Sequence, residues 1–337
     1  MTTRESDLVD ALRSMSPRKA WDCLMEMDID AFVKLQTSLR METNRHFGMK
    51  IASFIPGDSF PSISLTGTAC ELQCLHCNRK YLKGMIPATS PEDLRKVLHD
   101  IHLSGGKGAL ISGGSTREGI VKMEPFYPVI REIKANTKLL LNVHAGLISK
   151  KEAEKLLETG IDTISMDFVG DNETIKEIYG MDKSVDDYKK TLTDLILAGF
   201  TTARIIPHVC IGLNHGRLSS EHLVLDYLTA LDPRLLVFII LIPPRARDDF
   251  ALIDPVEVGK VIAIARLFFP RSELALGCMR PGGKYKQVYD HQAFRSGITR
   301  IALPSGSLKK TLLKRGYEIT RHETCCAMEP SLRDKLK

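Results

Sequence analysis

Residues 138–168 read KLLLNVHAGLISKKEAEKLLETGIDTISMDF. The run 138–144 is short and dense in Leu and Val. Residues 149–158 open on Ser149 with Glu152 three positions later, a helix start. Residues 162–168 form a second β-rich run. Strand, capped helix and strand within about thirty residues make a βαβ unit, whose strands lie parallel. The same rhythm extends in both directions. Strand-like runs fall at 62–66, 109–112, 203–209, 235–241, 273–278 and 297–303, and helix-like segments at 90–104, 185–198, 219–231, 255–269 and 305–315. About eight such alternations, with strands apolar on both faces, predict a parallel sheet covered by helices. The count points to an α/β fold, a (β/α)8 TIM-type barrel, full or slightly open.

Residues 1–48 carry apolar positions at three-to-four spacing, with Ser16 and Pro17 as a helix start and Gly48 as a stop. Three parts are expected: a helical N-terminal cap over 1–60, the barrel over 61–304, and a C-terminal helix and Cys-containing tail over 305–337. The chain has 337 residues, 43% hydrophobic and 26% charged, an ordinary globular composition. Its longest apolar runs, such as 235–244, are too short to span a bilayer, and the first fifteen residues have no apolar region of a signal peptide. A cytoplasmic location is the expectation. The net charge of +6 comes with no dense basic stripe, so no nucleic-acid partner is called for. Residues 309–315 read as a solvated helix face.

Eight cysteines stand in the chain, and Cys70, Cys74 and Cys77 follow directly on the first barrel strand with spacing C-x3-C-x2-C. Three thiolates in eight residues of loop can ligate three irons of a cubane and leave the fourth open. A zinc site would need a fourth ligand, and His76, between two of the cysteines, is poorly placed to supply it. Cys278 stands at the end of the seventh strand, and Cys325 and Cys326 in the tail. A tail folded over the barrel mouth would bring these three together, as ligands of a second cluster or as separate thiols. Cys23 and Cys210 read as packing thiols.

The loop resembles the signature of the radical S-adenosylmethionine (SAM) superfamily, C-x3-C-x-Φ-C after the first strand of an α/β barrel, with His76 at the aromatic position. The resemblance implies that Cys70, Cys74 and Cys77 hold a [4Fe–4S] cluster whose open iron is chelated by SAM, and that one electron cleaves SAM to a 5′-deoxyadenosyl radical. Ser112-Gly113-Gly114-Ser115 resembles the segment that meets the SAM amino group, with Ser115 in place of the usual Glu. Asp167, at the end of the fourth strand, is a candidate for the ribose hydroxyls, and Ile211-Gly212-Leu213 resembles the adenine-contact segment.

In layout the chain resembles biotin synthase, but Ile111, Asn142 and a position near Ile206 stand where that enzyme has interior cysteines. It also resembles the biotin-synthase-like group that includes the split, two-protein lipoyl synthases, through Thr66-Gly67, residues 74–77 followed by 80–85, Pro207-His208 before Ile211-Gly212-Leu213, and Gly277-Cys278-Met279-Arg280-Pro281. That resemblance implies sulfur insertion into a protein-bound octanoyl chain, with a second [4Fe–4S] cluster as sulfur donor and Cys278 as its catalytic ligand. It also implies an acyl-carrier (lipoyl-domain-like) partner, a paralogous radical SAM subunit, and ferredoxin or flavodoxin as reductant. Arg280 and Arg245 are expected as mouth-facing cations for the SAM carboxylate or an acidic carrier. The alternatives are a radical SAM enzyme of another class (methylase, mutase or C–C bond former) and a non-catalytic metal-binding barrel.

Overall fold

A computed structural model describes residues 3–329 and 331–332; residues 1, 2, 330 and 333–337 of the expected cap and tail lie outside the described residues. The strands are β1 (Lys50–Phe54), β2 (Ser62–Ser64), β3 (Ile86–Pro87), β4 (Gly108–Ser112), β5 (Leu140–Val143), β6 (Thr163–Phe168), β7 (Ile205–Ile211), β8 (Leu235–Ile240), β9 (Glu273–Leu276), β10 (Arg300–Ala302) and β11 (Glu318–His322). All eight expected strands are present. The chain divides into two compact units, residues 55–208 with 323–337, and residues 1–54 with 209–322.

In the first of these units the strands follow the order β6, β5, β4, β2, β3, paired in parallel. The register sets Ser64 opposite Ser112 and Ile111 opposite Val143. Helices Pro91–Leu103, Tyr127–Asn136, Lys150–Leu157 and Val185–Leu197 connect the strands. Ser90 with Asp93, and Ser149 with Glu152, close reciprocal capping boxes. Each satisfies two backbone donors that the first helical turn would leave open. Helix Tyr127–Asn136 was not read from the sequence; it grows out of the short turn Glu124–Phe126 and has no side-chain cap.

The inner side of this unit is polar in its middle. The buried Asn142 amide oxygen accepts hydrogen bonds from Thr163 Oγ1 (3.1 Å) and Ser165 Oγ (3.0 Å). The C-terminal segment packs against it. Met328 and Leu332 form a cluster with Phe60 and Leu140, and Cys325 packs on that cluster with its sulfur 4.0 Å from Asn142 Nδ2. Leu140 opens β5, so this contact lies toward the N-terminal ends of the strands. Cys325 lies beside Asn142, which stands one residue from the C-terminal end of β5. Leu332, Met328 and Leu140 gain by burial.

The other unit holds the helices Thr3–Arg13, Pro17–Glu26 and Ile29–Phe47 and strands β1 and β8–β11. Its strands run β11, β1, β10, β9, β8, again parallel. Ser16 caps the helix that begins at Pro17, as its sequence predicts. β1 lies within the stretch read as helical cap, and β11, mostly half-exposed, was not read as a strand. Helix Pro255–Phe268 is buried from Val258 to Leu267, a helix apolar on nearly all sides.

Arg280 is not a mouth-facing cation. It is buried, its Nε donates to Asp290 Oδ1 at 2.8 Å, and its other nitrogens donate to carbonyls of Gly277, Ala302 and Leu303. Removing a guanidinium from water requires such compensation. Arg245 is exposed, and its neighbour Arg247 pairs with Asp249 at 2.7 Å.

Candidate active site

The loop after β2 is built by its own backbone and two hydroxyls. Ser64 Oγ donates to Gly67 O (2.7 Å), and Thr66 Oγ1 donates to Ala69 O (2.8 Å) while accepting from Gly114 N (2.6 Å). Cys77 N and Asn78 N both donate to Cys74 O, closing a tight turn around the last two cysteines. Two further bonds fix the loop from outside: Glu71 N to Ser115 O (2.9 Å) and Leu75 N to Ile178 O (2.8 Å). Ile178 belongs to a π-helical turn, Ile175–Tyr179, a rare element found most often at functional sites.

Gly114 has no room for a side chain. A Cβ there would stand 1.9 Å from Ala69 O and 2.7 Å from Cys70 Cα. The Gly-Gly pair therefore lets the end of β4 approach the cysteine loop at backbone distance.

Cys70, Cys74, Cys77, His76, Ser112, Gly113, Gly114, Ser115 and Asp167 line one cavity of about 290 Å³. That is near the lower end of the range for small-molecule sites, roughly 300 Å³. Nine residues selected from sequence are thus brought together at the C-terminal ends of β2, β4 and β6, the catalytic end of such folds. Ile211 and Gly212 close β7 and are buried in the other unit, where Glu221 Oε1 accepts from Gly212 N at 2.8 Å. Cys278, past β9, is exposed in that unit; Cys325 is half-buried and Cys326 buried in the first. Cys23, read as a packing thiol, is exposed.

Sequence reading missed Arg79, His144, Tyr179, Met181 and Tyr188 in the cavity wall. His144 and Asp167 each stand at or just past a strand end, which is the one local cue they share. The rings of His144 and His208 meet edge to face at 5.1 Å.

The electrostatics suit a cationic guest. Burial, reinforced by the neighbouring Cys77 and Cys70, pushes the Cys74 thiol up to about 12. Three thiolates cannot share this space unless positive charge arrives with the ligand. Burial holds His76 down to about 4, so the ring is neutral, and its buried Nδ1 has no hydrogen-bond partner among the described residues. Its ring meets Tyr179 edge to face at 5.2 Å. Among the described residues no three His, Cys, Asp or Glu side chains are gathered tightly enough for a single metal ion. A cluster spreads its irons and takes its thiolates farther apart.

Residues 64–215 match the radical SAM superfamily. Over that span the chain carries a radical SAM domain. Among the relatives to which this radical SAM protein is similar are biotin synthases. The chain is 24% identical over 239 residues to a biotin synthase of Prochlorococcus marinus, covering 67% of this chain and 69% of the relative. Its fold is similar to that of HydG, a maturase of the [FeFe]-hydrogenase, with a TM-score of 0.70 at 15% identity, covering 95% of this chain and 76% of that one. Methylornithine synthase (PylB) is similar with a TM-score of 0.65 at 15% identity, over 93% and 97% of the two chains. These likenesses establish the α/β, TIM-type partial-barrel fold. The superfamily implies a [4Fe–4S] cluster and SAM, and the three-thiol loop, the orphaned His76 nitrogen and the Gly114 approach fit them. No helix among the described residues is long and apolar enough to cross a membrane.

Proposed function

We propose that this radical SAM enzyme takes hydrogen from an unactivated carbon of an octanoyl chain carried on a lysine of a second protein, and that sulfur is inserted there, in the manner of lipoyl synthases. The observation that carries the radical chemistry is the convergence of Cys70, Cys74 and Cys77 with Ser115 and Asp167 on one cavity. When bound, the cluster and SAM supply one-electron cleavage of a sulfonium C–S bond to the 5′-deoxyadenosyl radical. The chain's residues bind and orient. Cys70, Cys74 and Cys77 hold three irons. The Ser115 hydroxyl or carbonyl accepts from the SAM amino group, and Asp167, exposed to the cavity, accepts from vicinal ribose hydroxyls. Val121, Leu147, Met166 and Met181 in the same wall exclude water and suit a saturated chain.

Three observations support the sulfur-insertion reading: the likeness to biotin synthases, the exposed Cys278 in its Gly-Cys-Met-Arg-Pro segment, and the nearness of Cys325 to Asn142. Asn142 is one of the interior positions that lack a strand cysteine. Cys278, Cys325 and Cys326 are the proposed ligands of a second [4Fe–4S] cluster, with an acyl-carrier protein, a paralogous radical SAM subunit and ferredoxin or flavodoxin as partners in the cytoplasm. Anaerobic reconstitution tests this. Sulfur insertion predicts about eight irons per chain, 5′-deoxyadenosine from SAM with reductant, and loss of about four irons in Cys278→Ala. About four irons with intact SAM cleavage would instead assign another radical SAM class, and no cleavage at all would refute catalysis.

A further inference from the structure

The cavity wall contains a guanidinium that neither the motif nor the resemblance uses. Arg79 lies two residues past Cys77 and lines the cavity with the three cysteines, His76 and Ser115. Its Nε is buried without a hydrogen-bond partner, and no ion pair joins Arg79 to a carboxylate among the described residues. Asp167, the carboxylate of the same wall, forms no ion pair with it. The neighbouring Lys80 lies over the Tyr81 ring at 5.8 Å. A buried donor left without an acceptor is costly, so such a group in a cavity wall implies that the acceptor arrives with the ligand.

The backbone supports the same conclusion. Asn78 (φ 44°) and Arg79 (φ 60°) are consecutive non-glycine residues in the left-handed region. L-residues rarely adopt this conformation, and it persists where surrounding structure enforces it, commonly at ligand clamps. Here the enforcing bonds are Asn78 N to Cys74 O and Lys80 N to Cys77 O, each 2.9 Å. The turn that closes the cysteine loop is therefore the turn that carries Arg79 into the cavity wall.

We propose that Arg79 binds the methionyl carboxylate of SAM through charge-assisted hydrogen bonds, as the anion-recognising residue of this cofactor site. Its planar fork matches a carboxylate, which an ammonium matches less well. Arg280, expected in that role from the sequence, is already neutralised by Asp290. The inference rests on membership of the radical SAM superfamily and is independent of sulfur insertion.

The test is equilibrium dialysis of the anaerobically reconstituted full chain against SAM and against decarboxylated SAM, which keeps the nucleoside and sulfonium but lacks the carboxylate. Arg79→Gln should raise the dissociation constant for SAM about 10- to 100-fold and that for the decarboxylated analogue less than about threefold. Arg79→Lys should fall between for SAM. Iron content per chain should match the parent in both variants. Equal weakening of both ligands, or of neither, overturns the assignment. So does loss of iron from both variants, which would make Arg79 a support of the loop and not a ligand of SAM.

Discussion

Gly114→Ala places a single methyl between the end of β4 and the cysteine loop. The added Cβ would meet Ala69 O at 1.9 Å and the Cα and Cβ of Cys70 at 2.7 Å, all on or beside backbone that cannot rotate away. Relief to an ordinary contact, near 3.5 Å, needs roughly 1 to 1.5 Å of movement. That movement pulls apart the 2.6 Å bond from Gly114 N to Thr66 Oγ1 and the 2.9 Å bond from Glu71 N to Ser115 O. Overpacking costs about 1–3 kcal/mol and each lost bond about 1 kcal/mol, so the variant should be destabilised by about 2–4 kcal/mol. The functional effect should exceed the stability effect, because a binding constellation tolerates only about 0.5 Å of displacement. Cys70 should no longer close on its iron. The assay is iron and sulfide per chain after anaerobic reconstitution, with thermal unfolding in parallel. Gly306→Ala, where a Cβ meets nothing within 4 Å, is the control. A Gly114→Ala protein with parental iron content and parental SAM binding would refute the claim that backbone contact at this glycine positions the cluster ligand.

Thr66→Val keeps shape but removes the donor to Ala69 O and the acceptor for Gly114 N; a loss of about 1–3 kcal/mol and weaker iron retention are expected, read by denaturant midpoint and iron analysis. Asp290→Ala leaves the buried Arg280 guanidinium without its carboxylate and should cost about 3–5 kcal/mol in urea unfolding, with Asp290→Asn costing less. Burial holds His208 at about 4, against 6.5 ordinarily, with His144 pressing it further down and Asp167 opposing. His144 is lowered by burial in the same way, again against Asp167. Between pH 6.5 and 4 the unfolded chain therefore binds more protons than the folded one, so stability should fall as pH falls through this window, by on the order of 2–3 kcal/mol from His208. Urea midpoints at pH 7 and 4.5 measure this, and a His208→Asn protein with an undiminished pH slope would show that the histidine is not its source.

Eight strands and the cysteine loop could be read without coordinates because each is announced by neighbours in the chain. Ile63, Leu110, Leu141 and Val237 sit in runs bounded by helix caps, and C-x3-C-x2-C counts its own ligands. The edge elements escaped because their residues say little: β3 is two residues long, and β11 (Glu-Ile-Thr-Arg-His) is largely polar and partly solvated. Helix Gly283–Arg295 escaped for a similar reason, its apolar contribution resting on Tyr289, Ala293 and Phe294 in an otherwise polar segment.

Charge and partnership were beyond local reading. Nothing near Arg280 in the motif announces that Asp290, one helix on, neutralises it, and nothing beside Arg79 announces that its Nε has no partner among the described residues. Spacing alone likewise does not tell that the tail meets β5 at Leu140 and Asn142. Periodicity and ligand count are properties of consecutive residues, so the barrel rhythm and the three-thiol loop were written in the chain. Desolvation and pairing depend on atoms brought together from distant positions, and folding alone settled which histidines are neutral, which arginine is already paired and which still faces the cofactor cavity.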